Sequence, residues 1–461
     1  MYARALATVA NAPSMGARTL EVDGQRVTYY EFEEPMEKPL LDTREYRLLR
    51  LGNDLEALVI SDPDTDKASA AMDIRVGHLC DPPDMQGMAH YCEHLLFMGT
   101  KKYPRENEYS EYLTNHSGSS NAFTSLENTN YFFDVGHAHL EGALDRFAQF
   151  FLEPLFDESC SEREIRAVDS EHKKNLQSDL WRGFQLDKGL CDASHPYAQF
   201  GTGNLATLWD EPRARGVDIR AELLKFHERY YSANMMKLVV LGRESVEQLS
   251  RWVVEKFARV PNKGVDAPVF PGSPLREAQL GTQVMYRTIK DTRLLDITFP
   301  IPEQVRLYRA KPAQLLSHFV GHEGHGSLFS CLKQRGWANV LSAGPMVHAA
   351  GFELFKINVE LTPEGYAHYA DVAAAVFQYL DMLRAQPMER WMFDEVQRLS
   401  DLRFAFKEKS SSPAMYSSTL AGQMQQGLPP AWLLSGPYLL REFDIKLIGE
   451  TLAAMRPDNC R

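Results

Sequence analysis

His90, Glu93 and His94 set two imidazoles and a carboxylate within one five-residue stretch, HYCEH. On a helix, residues i and i+4 share a face, so both rings can grip one metal ion. Glu93, at i+3, stands close enough to that face to reach a water molecule beside the ion. The order is the reverse of H-E-x-x-H, giving the H-x-x-E-H form. Hydrolytic zinc sites use three protein ligands and keep a fourth position open, so a third ligand is expected from elsewhere in the chain. The best candidate is Glu171, in SEREIRAVDSEHKKN, with Glu164 two turns earlier on the same side and placed to orient the imidazoles. Each reading has a plain alternative. HxxEH also arises in an amphipathic helix with incidental histidines, and Glu171 alone reads rather as a solvated charge in a helix crowded with acids and bases.

The chemistry such a set would perform is hydrolysis. A zinc ion lowers the pKa of its water to about 7 and polarises a carbonyl. Glu93 would take the proton as general base and return it to a leaving amine as acid. A second histidine-rich stretch, HFVGHEGHG, repeats the i, i+4 spacing with His318 and His322. Gly321 stands where Glu93 stands in the first, so the base is missing, and a decayed duplicate is the better reading. Cys92, between the two histidines, reads as a core thiol whose alkylation would hinder the site.

These residues need elements to position them. EYRLLRL, LEALVISD and KASAAMDIRVG alternate at period two and predict three antiparallel strands, with a turn at Gly52–Asn53. Helical spacing begins at 86–98, and a second helix is expected near 106–115. SSNAFTS and NTNYFFDVG predict two more strands, the first at a sheet edge, where an extended peptide can add through main-chain bonds. An ordinary sheet strand is the plainer reading of SSNAFTS. Helices are expected at 137–151 and, as one long element, 158–190. KLVVLGR predicts a last strand and SVEQLSRWVVEKF a last helix. Strands and helices interleave, so the fold class is α+β, a mixed and mostly antiparallel sheet with helices packed on it.

Prolines 261, 268, 271 and 274 with Gly264 and Gly272 mark residues 261–280 as a linker. Beyond it the order repeats. QVMYRTI, LLDITFPIP and FELFKINVEL predict strands, and helices are expected near 307–320, over YADVAAAVFQYLDMLRA and near 391–408. His90 and His318, Gly118 and Gly336, and Asn234 and Asn459 recur at similar spacing, which predicts a duplicated domain. The expected division is an extension at 1–44, a catalytic domain at 45–260, the linker, and a second, non-catalytic domain at 281–461. In the first copy Asn234 precedes KLVVLGR, whereas only Cys460 and Arg461 follow Asn459. The second copy is therefore expected to lack its last strand, leaving an open edge.

Composition sets the bounds. The 461 residues carry 50 Lys+Arg against 62 Asp+Glu, a net charge of −12, which argues against a nucleic-acid binder. Hydrophobic residues at 44% and charged residues at 24% are a globular balance, and no apolar run approaches the roughly 18 residues of a membrane span. Six cysteines lie far apart without a CxxC pair, which fits a reducing compartment. The cytosol is the expected location. Arg4 and Arg18, with no acid before Glu21, keep a mitochondrial leader as the alternative.

HYCEHLLFMGTKKYPRENEYSEYL, SGSSNAFTSLENTNYFFDV, EREIRAVDSEHKKNLQSDLWR and HPYAQFGTGN together resemble the M16 (pitrilysin, or insulinase) metallopeptidases, from about Glu45 to Arg461. The resemblance implies one zinc ion held by His90, His94 and Glu171, Glu93 as catalytic base and Glu164 as supporting carboxylate. It implies that Asn121, Ala122 and Phe123 align a peptide substrate, and that His318, Gly321, Glu323 and Leu341 anchor its N-terminus away from the metal. Ala343 and Gln314 depart from the family pattern there, where Gly and His are usual. The implied fold is four homologous α+β domains in two halves, of which this chain covers the first and most of the second. A C-terminal half, which supplies further substrate-holding groups, would be needed to close the chamber. The implied activity is that of a zinc metalloendopeptidase cutting short peptides. The alternative is a zinc- and peptide-binding but inactive half, or a non-catalytic M16 subunit, against which the intact HxxEH argues. A homo-oligomer is left open.

Overall fold

The computed structural model describes residues 14–386 and 388–461, so Arg4 lies outside the described residues. The chain gathers into two compact units. The first comprises Met1–His172, Gly201–Pro268 and Ala405–Pro437, and the second Lys173–Phe200, Val269–Phe404 and Tyr438–Arg461.

Eight strands build the sheet of the first unit: β1 (Met15–Val22), β2 (Gln25–Phe32), β3 (Glu45–Leu51), β4 (Glu56–Ser61), β5 (Lys67–Ile74), β6 (Ser119–Thr124), β7 (Thr129–Gly136) and β8 (Met236–Gly242). Their order is β1-β2-β3-β4-β8-β5-β7-β6. Only the β4–β8 pair is parallel. Two of these strands lie within residues 1–44, where an extension was expected. Asp23 and Gly24, both at positive φ, close β1 and β2 into a tight hairpin that carries on into β3.

Apolar residues on one face of this sheet pack against α1 (Met88–Leu96), α2 (Glu108–Asn115), α3 (Leu140–Leu152), α4 (Glu158–Asn175) and the helix Val246–Phe257. The last buries Val246, Leu249, Val253 and Phe257, the spacing of a one-sided apolar stripe. The opposite face holds Leu58, Ile60, Ala71, Val239 and Leu241, and the segment 405–437 covers it with Ala414, Leu420, Ala421, Met424, Leu433 and Leu434. That burial is why residues distant in sequence belong to this unit. Central strands such as β4 are buried on both faces as a consequence.

The expected long helix 158–190 is two helices. α4 ends at Asn175, turn bonds from Gln177 and Ser178 close it, and α5 (Asp179–Gly189) starts afresh in the second unit. The second unit has a three-stranded antiparallel sheet, β9 (Leu294–Ile301), β10 (Ala338–Ala349) and β11 (Phe352–Leu361), in the order β10-β11-β9. QVMYRTI at 283–289 joins no ladder among the described residues. Its apolar side chains are exposed, and the Ile289 and Lys290 amides donate to the Asp179 carboxylate at 2.8 and 2.9 Å instead. At the end of the chain, Arg461 and Thr298 exchange backbone hydrogen bonds of 2.9 and 2.7 Å. Among the described residues no helix is long and apolar enough to cross a membrane.

Candidate metal centre

α1 is fixed at its start before it presents anything. The Asp81 carboxylate accepts the Gly87 and Ala89 amides at 2.7 and 2.8 Å, placing a negative charge at the helix N-terminus. Gly87 has φ +96°, and a Cβ there would collide with the Gly203 backbone, so the loop around Gly203 lies directly on the helix start. Met88, Ala89, Tyr91, Cys92, Leu95 and Leu96 bury the inner side of the helix. His90 and His94 remain half-buried on the other side, their ring centroids 4.9 Å apart.

α4 brings the carboxylates. Its buried Cys160, Ser161, Ile165 and Val168 hold it against the core, and Ser161 hydrogen-bonds the Tyr91 hydroxyl of α1. Glu171 Oε2 lies 3.4 Å from His90 Nε2, and Glu171 Oε1 lies 3.8 Å from His94 Nε2. One ligand atom from each of the three residues falls within 4.8 Å of the others. Two donors bound to zinc at about 2.0–2.1 Å and a tetrahedral angle sit about 3.3 Å apart, so the Glu171–histidine separations of 3.4 and 3.8 Å lie close to that value, while the widest separation, up to 4.8 Å, would have to shorten around an ion. The other ring nitrogens are taken. His90 Nδ1–H donates to the Thr202 carbonyl at 2.7 Å, and His94 Nδ1 meets Glu164 Oε2 at 3.3 Å. Both rings are thereby oriented with Nε2 toward Glu171, as metal-ligating histidines require.

Glu93 is buried beside this group and accepts a 2.6 Å hydrogen bond from the Thr124 hydroxyl through Oε2. Burial raises its pKa above the ordinary carboxylate value, while the histidines and Thr124 oppose the rise. Burial alone would lower His90, but its bond to Glu171, the nearby Glu93 charge and the Thr202 carbonyl lift it to about 9. An ion at Nε2 would therefore compete with a proton for His90.

Asn121, Ala122 and Phe123 lie on β6, which is the edge of the eight-stranded sheet. Phe123 is exposed, and the same strand ends at Thr124, which holds Glu93. In the second unit His318 sits in the last turn of the helix Pro312–Val320, with Gly321 just past its end. His322 and Glu323 follow in the loop, so the i, i+4 histidines do not share a helix face. Leu341 is a buried residue of β10 within the core. His195, a residue of the HPYAQFGTGN stretch, is buried in the second unit against Phe352, its ring accepting the Tyr197 amide. Cys92 is wholly buried, and burial pushes its thiol up to about 12. Sequence reasoning missed Asp81, Thr124 and Thr202. An aspartate ahead of the helix was a readable start signal, whereas the Thr202 carbonyl carries no side-chain signature.

Three family models match the chain: Insulinase (Peptidase family M16) over residues 56–194, Peptidase M16 inactive domain over 218–400, and Middle or third domain of peptidase M16 over 404–461. The chain is 51% identical to the insulin-degrading enzyme of Homo sapiens over 91% of its own length and 41% of that protein's. It is 45% identical to the A-factor-processing enzyme of Saccharomyces cerevisiae, over 92% of this chain and 41% of that one. The crystal structure of pitrilysin superposes with a TM-score of 0.90 at 33% identity, covering 94% of this chain and 46% of that chain. The chain thus spans less than half the length of the relatives it matches.

Proposed function

The chain belongs to the M16 (insulinase) peptidase family, and from that premise we propose that it carries the catalytic centre of a zinc metalloendopeptidase acting on short peptides. The observation that carries the reading is the convergence of His90, His94 and Glu171 within 4.8 Å beside a buried glutamate, Glu93. His90 and His94 through Nε2, and Glu171 through its carboxylate, would hold one zinc ion. When bound, that ion supplies Lewis acidity toward a peptide carbonyl and acidifies water.

The chain's own residues do the rest. Thr124 engages one oxygen of Glu93, leaving Oε1 to take a proton from the attacking water and deliver it to the leaving nitrogen. The raised pKa of Glu93 suits a group that must both accept and release that proton. The free edge of β6 would align an extended peptide through main-chain bonds, with Asn121, Ala122 and Phe123 beside the scissile bond. His318, Gly321, Glu323 and Leu341 would anchor the peptide's N-terminus.

Because the relatives are more than twice as long, a C-terminal M16 half is proposed to complete the working enzyme. The same fact supports the second reading, a chain that binds zinc and peptide without turnover. Hydrolysis of a fluorogenic peptide by the zinc-loaded chain, alone and with a separately produced C-terminal M16 half, separates the two. Turnover in either case that is lost in Glu93→Gln supports the enzyme. Zinc and peptide binding without turnover in both cases supports the second reading.

A further inference from the structure

From α4, Glu171 faces the Nε2 atoms of both histidines, and what differs between the two rings is the partner of Nδ1. Glu164 meets His94 Nδ1, whereas His90 Nδ1 donates to a backbone carbonyl, that of Thr202, in a loop with no regular structure. A loop carbonyl orients a ring only as well as the loop itself is held. Asp169 of α4 supplies the hold: its Oδ1 accepts the Leu205 amide at 3.1 Å. Gly203 of the loop lies against Gly87 at the start of α1, and just past the loop Thr207, in the π-helical turn Ala206–Asp210, donates its hydroxyl to the Gln86 carbonyl at 2.8 Å. The Asn204 side chain accepts the Thr207 amide at 2.9 Å.

We propose that Asp169 is a positioning residue of the metal centre, clamping the 202–205 loop so that the Thr202 carbonyl orients His90 for ligation. The inference rests on the zinc reading above and adds a residue to it. α4 thereby sets His94 directly through Glu164 and His90 at one remove through Asp169, while Glu171 of the same helix is the third ligand. Removing groups that orient a ligand typically weakens metal affinity by about 10- to 100-fold. The same loss is expected for Asp169→Ala, and Asp169→Asn, which keeps an oxygen acceptor for the Leu205 amide, stays within about threefold of wild type on that scale.

The test is zinc affinity of the 461-residue chain by chelator competition, read together with thermal unfolding and the visible spectrum of the cobalt-loaded chain. Weaker zinc binding in Asp169→Ala, recovery in Asp169→Asn and an altered cobalt spectrum in the alanine variant alone support the proposal. Unchanged affinity in Asp169→Ala overturns it. Should Asp169→Ala fail to fold, Leu205→Pro removes the same bond from the other partner, since Leu205 already has φ −59°. A folded Leu205→Pro chain that binds zinc as tightly as wild type also overturns the proposal. Failure of the wild-type chain to bind zinc would refute the metal reading itself, a result distinct from either.

Discussion

Replacing Asp73 with asparagine isolates the energy of one buried charge. Asp73 lies on β5 beneath the helix Pro413–Met424 and is fully buried. Its Oδ2 accepts the Asn128 and Asn130 side-chain amides at 2.6 and 2.8 Å, and among the described residues Oδ1 has no hydrogen-bond partner. Burial raises the carboxyl from an ordinary 3.8 to about 6 against those amides and the nearby Arg75 charge. At about 1.4 kcal/mol per pH unit, that gap is worth about 3 kcal/mol. The sign follows from proton count. Between 3.8 and about 6 the folded chain holds the proton that the unfolded chain has lost, so this group's stabilisation is present at low pH and disappears as pH rises. Asparagine never ionises. Any cost of placing its NH2 group in the pocket is the same at every pH and cancels in the difference. Because pH 4 already lies above the unfolded value, stability of Asp73→Asn relative to wild type is expected to improve by about 2 kcal/mol between pH 4 and pH 7. The assay is the free energy of opening at β5 by hydrogen exchange at the two pH values. A relative stability that is the same at both would mean that Asp73 carries no buried charge at neutral pH.

The remaining predictions concern the metal centre. Because His90 is lifted to about 9, zinc uptake at neutral pH should release a proton, and the apparent affinity should rise as pH approaches that value; calorimetry in buffers of different ionisation enthalpy reads the release. Thr124→Val removes a hydrogen bond to a buried carboxylate, worth about 1.5–3 kcal/mol, so turnover should fall by about tenfold or more while zinc content is kept and Thr124→Ser restores it. Gly87→Ala puts a Cβ into the Gly203 backbone at φ +96°, and a clear loss of thermal stability is expected by calorimetry.

The centre was legible because its signal is periodic. Two histidines at i, i+4 and two glutamates at i, i+7 declare one face each, and the fold only has to bring two helices together. What was not legible depended on partners. QVMYRTI has a strand's alternation but no ladder to join, and Asp179 takes up its backbone instead. β10 runs through Gly344 and Pro345 with two register shifts, and that irregularity hid a twelve-residue strand. The Asp23–Gly24 turn was readable, but its flanking strands are largely polar and at most half-buried, so the hairpin blended into an apparent extension. Nothing local marks residues 405–437 as the cover of a sheet formed some 150 residues or more earlier in the chain, because that match is one of apolar surfaces. Thr202 acts through its carbonyl, which every residue has.

X-ray absorption at the zinc edge, on the chain loaded with one equivalent of zinc, reads the ligands of the ion without intermediary. Two imidazole nitrogens and a carboxylate oxygen are expected at about 2.0–2.2 Å, with one imidazole lost in His94→Ala and the carboxylate lost in Glu171→Ala. A zinc environment unchanged by both substitutions, or one with sulfur in it, would rule out ligation by His90, His94 and Glu171.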